Sequence, residues 1–555
     1  MKNIRKLLAI LLLFSIFAVS LTACKSHEEE ENVVATDISE YSIVRIEVAD
    51  KLLKDVTAKL KKTILESTKA ELKVGTDYVP RNETLDESGK EILIGDTNRT
   101  ASIEALEELK SKGYDNGFII KVTDTKIAIV GLSDGDTIIG IKYFINNYVL
   151  KSEKDNTLPV QAGDTVVEET GKLIYANSNM DLVVLETLTT IHDPNSKKSE
   201  QQYTYGKIIK LEHNGENNGM LLATNETVGW NDLRYPIYRS MDDGETWEQI
   251  ARVNDGYNSN AIVGYQPYLF ELPVDMGEFK EGTIFMSACS RIGGSKTIMV
   301  LYYSTNLGKT WRAFCNVDVG GGYNEGGWSS DGLWEPILMY EEETGRVYCL
   351  YSDELVNGDD EETRKNGHNQ RLVYKYTTDF KNWSAKYEMV ACENPQLRPG
   401  MIALAKMGNG KYALAYEMCG DGCQIYIKYA DSLDGWDPAE KGKLIKTLSG
   451  EGMGSAPAIA WTPNGGECGT LFVTAHHVVS GNSNTKCDLF ISFDYGETFI
   501  DVDNPIPNKP NENIRSGYSP GFFVDKEGTV YYVNDPESSP GSLCEKFMFA
   551  KIKVY

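Results

Sequence analysis

Two glutamates carry the strongest chemical signal in the chain. Glu335 lies in Gly332-Leu-Trp-Glu-Pro-Ile337, with an aromatic residue before it and a proline after it. Glu417 ends the apolar run Tyr412-Ala-Leu-Ala-Tyr-Glu417. A carboxyl flanked by apolar residues at a strand end is poised for desolvation, which raises its pKa toward that of a general acid. Hydrolysis of a glycosidic bond needs two carboxyl groups, one as acid and one as base or nucleophile. The plainer alternative is that either carboxylate only bonds neighbouring backbone.

Such a pair needs a scaffold that brings distant strands to one centre, and the sequence supplies one. Ser240-Met-Asp-Asp-Gly-Glu-Thr-Trp247 recurs as Ser304-Thr-Asn-Leu-Gly-Lys-Thr-Trp311 and as Ser492-Phe-Asp-Tyr-Gly-Glu-Thr-Phe499. Shorter copies are Thr377-Thr-Asp-Phe-Lys-Asn-Trp383 and Ala430-Asp-Ser-Leu-Asp-Gly-Trp436. This is the Asp box: Ser and Asp bond a tight turn, Gly takes positive φ, and the aromatic packs between sheets. Between the boxes runs a second repeat of strand, turn and strand, at Tyr205–Glu226, Tyr265–Ser290, Trp334–Asp353, Pro399–Glu417, Ala456–His476 and Tyr518–Asn534. Repeats of this length with four strands each predict a six-bladed β-propeller over 178–555. Its last blade is expected to be closed by Leu182–Thr189 pairing with Phe547–Val554, which leaves no free edge.

Blade topology places residues on the rims. Inner strands start, and second strands end, at the rim opposite the Asp boxes. The candidates there are Asn225, Glu226, Gln266, Ser290, Arg291, Trp334, Glu335, Asp353, Glu354, Arg398, Glu417, His476, Arg515, Tyr518 and Asp535. The catalytic pair is expected to be Glu335 and Glu417. Substrate contacts are expected from Trp334, Gln266, Asp353, Arg398, Arg291, Tyr518 and Arg515. Trp230, Tyr323 and Trp328 either stack on sugar faces or pack loops.

The N-terminus sets the expected compartment. Lys2, Arg5 and Lys6 precede the apolar run Leu7–Leu21, which is too short and too terminal for an ordinary spanning helix and has the form of a signal peptide over 1–23. Leu21-Thr22-Ala23-Cys24 resembles a bacterial lipobox, which implies lipidation of Cys24 and an extracytoplasmic protein held to the cell membrane by its lipid alone. Residues 24–36 have the composition of an acidic tether. Without residues 1–23 the 56 basic residues become 53 against 81 acidic ones, a net charge of −28. That excludes nucleic acid as a partner and suits a carbohydrate. A monomer without cofactor or metal is expected, because His476 and His477 point to opposite strand faces and no ligand spacing recurs. Cys419-Gly-Asp-Gly-Cys423 is the one pair close enough in sequence for a loop disulfide, and the sequence leaves its state open.

Residues 37–165 alternate strand and helix and predict a small α/β domain. Ile92-Leu-Ile-Gly-Asp-Thr97 and Gly113-Tyr-Asp-Asn-Gly-Phe118 resemble the accessory domain of family 20 β-hexosaminidases and of α-glucuronidases. From Tyr205 onward, Leu333-Trp-Glu-Pro-Ile337, Tyr351-Ser-Asp-Glu354, Arg398-Pro-Gly-Met401 and the Tyr-Glu ending at Glu417 resemble glycoside hydrolase family 93, the exo-arabinanases of the sialidase superfamily. The resemblance implies a retaining mechanism with Glu335 and Glu417 as its two glutamates. An acidic insertion, Gly358–Gly367, leaves the exact substrate open. One rival is an exo-sialidase; its Phe-Arg-Ile-Pro arginine is missing, since Tyr205-Gly-Lys-Ile208 stands there. The other is a glycan-binding propeller without turnover.

Overall fold

The computed structural model describes residues 35–193, 202–228, 234–258, 260–293, 296–321, 332–354, 370–391, 394, 397–480, 483–485, 488–506, 517–536 and 546–555. They divide into two compact units, the first ending at Glu168 and the second taking Glu169–Tyr555 together with Asp115–Gly117.

In the first unit, the strand order is Lys73–Thr76, Ser42–Arg45, Glu91–Ile94, Lys126–Gly131, Gly117–Val122 and Thr165–Glu169. The first four run parallel, and Gly117–Val122 with Lys126–Gly131 forms an antiparallel hairpin. The helix Lys51–Thr68 starts at Asp50, whose carboxylate accepts the Leu53 N–H at 2.6 Å, and buries Leu53, Val56, Leu60 and Ile64 along one face. That spacing is the amphipathic stripe that drives a helix onto a sheet. The helix Asp134–Phe144 begins where Ser133 caps it by accepting the Asp136 N–H. No described helix is long and apolar enough to cross a membrane.

The second unit is the six-bladed propeller. Its first blade takes Gln202–Lys210, Leu221–Val228, Tyr235–Ser240 and Glu248–Val253 in order, and blades two and three follow the same meander. In the sixth, Gly521–Val524, Val530–Asn534 and Phe547–Val554 are joined by Leu182–His192, which pairs antiparallel with Phe547–Val554, and then by Lys172–Ala176. The expected closure therefore holds, with one strand more than expected. The fourth blade also departs from four strands: Gly452–Gly454, His477–Ser480 and Ser483–Thr485 extend its sheet.

Each pair of neighbouring blades encloses its own hydrophobic cluster, such as Leu222, Ile237, Met286 and Val300 between blades one and two, or Leu350, Leu414 and Tyr416 between three and four. The remaining four seams are filled in the same way. Asp boxes turn the third strand into the fourth. At the first, Ser240 Oγ accepts from the Gly244 N–H at 2.9 Å, Asp242 accepts from the Thr246 N–H at 2.9 Å, and Trp247 Nε1 donates to the Gly244 carbonyl at 3.0 Å. Gly244 has φ 95°, and a Cβ there would stand 2.1 Å from the Phe549 ring, so no larger residue fits. Side-chain bonding is thereby used up in the turn, which makes the box a structural device.

The seam between blades six and one carries a buried amine. Lys207 Nζ donates to the carbonyls of Gly206, Ser519 and Pro520 at 3.2, 3.2 and 3.1 Å. Burial lowers its pKa to about 8, against the pull of Asp535.

Candidate active site

A repeated backbone feature builds the centre. Tyr205, Gln266, Glu335, Met401, Ala456 and Ser519 all take positive φ, between 49° and 61°, at the same point of the six blades. In blades one to four, the ladder to the second strand slips there, as it does between Trp334 and Ile337. A bulge of this kind re-aims a side chain out of the sheet. Left-handed φ at a non-glycine residue costs ~1–3 kcal/mol and collects at functional sites. Proline follows in four blades, at Pro267, Pro336, Pro457 and Pro520, where a missing N–H costs no ladder bond. All of these residues but Ala456 line a cavity of about 70 Å³ on the propeller axis.

Glu335 is aimed into that cavity and held on all sides. Its Oε2 accepts from Ser352 Oγ at 2.6 Å and from the Met401 N–H at 3.3 Å, and its Oε1 accepts from Gln266 Nε2 at 3.3 Å. Gln266 Oε1 in turn accepts the Glu335 N–H at 3.1 Å, so one amide fixes both ends of the residue. Gln266 is itself anchored, its N–H donating to Glu226 at 3.0 Å and its Nε2 reaching the Tyr205 hydroxyl at 3.3 Å. Burial pushes the Glu335 carboxyl up to about 7; the Ser352 bond opposes this and the charge of Glu417 adds to it.

Glu417, 9 % exposed, accepts the Ala456 N–H at 2.9 Å on Oε2. Its Oε1 lies beside Gly400, where an added Cβ would stand 3.6 Å away. The two glutamates thus flank one peptide unit, Gly400–Met401, from the same rim. Burial also pushes Glu417 up to about 7, against the Ala456 bond and the charge of Arg398. The charge of Glu417 favours the proton on Glu335, the kind of division that acid and base roles require.

The other expected contacts separate into two groups. Gln266 lines the cavity, and Tyr518 packs its ring 5.8 Å from that of Tyr205, which also lines it, and 5.4 Å from that of His476. Arg291 is stacked instead, 3.7 Å from the Tyr265 ring and 5.0 Å from that of Trp334, which is 8 % exposed. Asp353 is buried in an ion pair with Lys386 at 2.7 Å. Arg398 pairs with the buried Glu354 and donates to Gln370 at 2.8 Å. Cys24, Trp230, Tyr323, Trp328, the insertion Gly358–Gly367 and Arg515 lie outside the described residues. Sequence reasoning missed Tyr205, Ser352, Met401 and Ala456, although the recurrent Pro after Tyr265-Gln, Trp334-Glu, Ser455-Ala and Tyr518-Ser marks four of the six positive-φ positions. Cys419 and Cys423 form a disulfide. With Glu417 they are the one group of possible metal ligands among the described residues, and their sulfurs are committed to each other.

No protein-family model matches the sequence, and no curated protein does. Among solved structures, the α-L-arabinanase of Penicillium chrysogenum with arabinobiose is 28% identical, matching 66% of this chain and 97% of that one with a TM-score of 0.55. The α-L-arabinofuranosidase Arb93A of Fusarium graminearum with an iminosugar inhibitor is 25% identical, over 66% and 98% of the two chains, also at 0.55. A family 93 α-L-arabinofuranosidase of Fusarium graminearum with arabinobiose matches at 24% identity and the same TM-score, covering 66% and 97%. The two glutamates thus sit in a six-bladed propeller with Asp boxes, similar in structure to an α-L-arabinanase and to α-L-arabinofuranosidases, one of them of glycoside hydrolase family 93.

Proposed function

We propose that this protein is a glycoside hydrolase that removes units from an arabinan-like glycan with retention of configuration. The observation that carries the reading is the pair of enclosed carboxyls, both pushed up to about 7, beside one peptide of the funnel. The similarity to solved arabinan-degrading enzymes supplies the substrate class. Glu417 ionises first, because Arg398 and the Ala456 N–H favour its charged form, and its charge keeps the proton on Glu335. Glu335 is accordingly the acid/base and Glu417 the nucleophile. In the first step Glu335 protonates the leaving oxygen while Glu417 attacks the anomeric carbon. In the second Glu335 takes a proton from water, which releases the sugar from Glu417. A panel of arabinans, sialosides and other glycans, assayed for new reducing ends, tests this; turnover of sialosides alone would refute it.

The arginines favour a neutral sugar over a sialic acid. A carboxylate clamp needs guanidinium groups to spend on the ligand, whereas Arg398 is spent on Glu354 and Gln370, and Arg291 on two rings. Arg398→Ala leaves the Glu354 carboxyl buried without its cation, which costs about 3 kcal/mol. The expected result is a lower unfolding midpoint. An unchanged midpoint with selective loss of a carboxylate-bearing ligand would support the sialidase reading instead.

We also assign the protein to the outer side of the cell membrane, anchored through lipid on Cys24. The disulfide between Cys419 and Cys423 supports this, since such bonds persist in oxidising compartments. Cys24→Ser should move the protein from the membrane fraction to the soluble one; retention in the membrane would refute the anchor.

A further inference from the structure

The turn that follows the Glu417 strand is closed by the Cys419–Cys423 disulfide. Within it the Asp421 N–H donates to the Met418 carbonyl at 3.2 Å, and Cys423 takes φ 50°. The Cys423 carbonyl, aimed by that conformation, accepts the Ser455 N–H at 2.9 Å. Ser455 and the next residue, Ala456, both have left-handed φ, at 59° and 49°. Two successive strained residues without glycine persist only where their surroundings hold them. Their other tie is the Ser455 carbonyl, which accepts the His476 N–H at 2.8 Å. The Ala456 N–H then donates to Glu417 Oε2 at 2.9 Å. On the other side of the same carboxylate, Cys419 Sγ lies 3.5 Å from Oε1, with no proton to donate because it is bonded to Cys423.

The disulfide therefore touches the Glu417 carboxylate twice. One contact is direct, through a sulfur that fills the space beside Oε1. The other is relayed from Cys423 to Ser455 and so to Ala456, whose N–H is the bond that opposes burial at this carboxyl. The charged groups facing Glu417 are Arg398 and, across the Gly400–Met401 peptide, Glu335. Neither belongs to the turn, so opening the turn leaves them in place.

We infer that the Cys419–Cys423 disulfide is a positioning element for Glu417, fixing its carboxylate through the Ser455–Ala456 backbone. The inference rests on the reading of Glu417 as one of the catalytic pair. Opening the turn frees Ser455–Ala456 to relax out of the left-handed region and takes the Ala456 N–H away from Oε2. The charged form of Glu417 then loses its donor, and its pKa rises further.

The experiment uses the full chain, oxidised and then reduced with dithiothreitol. The dithiol supplies two electrons and two protons, becomes a cyclic disulfide, and leaves two new thiols that a thiol titration counts. A Cys419→Ala/Cys423→Ala variant is measured beside it, and both are judged on protein with an unchanged circular dichroism spectrum. The expected result is a fall in kcat of roughly tenfold or more with KM little changed, since small misplacements of a reacting group are costly. The acidic limb of the pH profile is expected to move upward by about one unit, as loss of a bond to a charged form requires. Reoxidation should restore both in the wild type. A second readout needs no substrate: the Glu417 pKa is taken from the difference in unfolding stability against pH between wild type and Glu417→Gln, before and after reduction. If the oxidised protein cleaves no glycan and this pKa still rises on reduction, the enzymatic reading fails and the positioning role stands. If two thiols appear while kcat, pH profile and Glu417 pKa all stay fixed, the positioning role is overturned.

Discussion

Glu335→Gln and Glu417→Gln are each expected to lower kcat on the cleaved glycan by at least ~10²-fold, the contribution of one positioned proton transfer. The substitution keeps shape, removes the charge and the ionisable proton, and turns one acceptor oxygen into a donor. Glu335→Gln keeps an oxygen for Ser352 and the Met401 N–H, while its amide nitrogen replaces the oxygen that accepted from Gln266. Glu417→Gln keeps an oxygen for the Ala456 N–H. Circular dichroism should therefore be unchanged while turnover collapses. The two variants should differ on an activated substrate whose leaving group needs no acid. There Glu335→Ala should recover activity with azide, which enters where the second-step base stood, and Glu417→Ala should not give the same product. Near-full activity in either Gln variant would remove that residue from the pair.

The same two residues should weigh on stability. Burial holds both native carboxyls near 7, against 4.5 for the ordinary group. Below 4.5 both states are protonated and nothing is lost. Between 4.5 and about 7 the unfolded chain releases protons that the native protein keeps, so stability falls as pH rises and levels off above 7. A full displacement of this size corresponds to about 3 kcal/mol for a group acting alone. Asp535, pushed up to about 8 by burial, adds a decline in the same direction. The comparison is therefore between wild type and variant: unfolding measured from pH 4 to pH 8 should decline less steeply in Glu335→Gln than in wild type, and the variant should be the more stable protein at pH 8. Parallel curves would mean that the carboxyl is solvated and not enclosed.

Much of this architecture was legible because propeller blades repeat themselves. Ser240–Trp247, Ser304–Trp311 and Ser492–Phe499 mark turns whose bonding is complete within eight residues, so local sequence suffices to recognise them. The closing strand followed from the need to cover the edge at Phe547–Val554. The site was legible in part. Glu335 and Glu417 stood out because their neighbours are apolar, and desolvation is a local property of the sequence. Their partners did not stand out, since Ser352, Met401 and Ala456 act through backbone conformation and long-range approach. A bulge is invisible to a period-two pattern, which it interrupts by one residue. Arg291, Asp353 and Arg398 show the opposite limit: a rim position could be inferred, but not that each side chain is already engaged with a neighbour.

The most direct test follows the anomeric proton of the first sugar released from an arabinan by the wild-type protein, read by NMR before mutarotation equilibrates it. Two glutamates acting from opposite faces of the sugar pass through a covalent intermediate that is formed and broken with inversion each time, so the released sugar should keep the configuration it had in the polymer. A first product of inverted configuration, or none from any arabinan, would contradict the account.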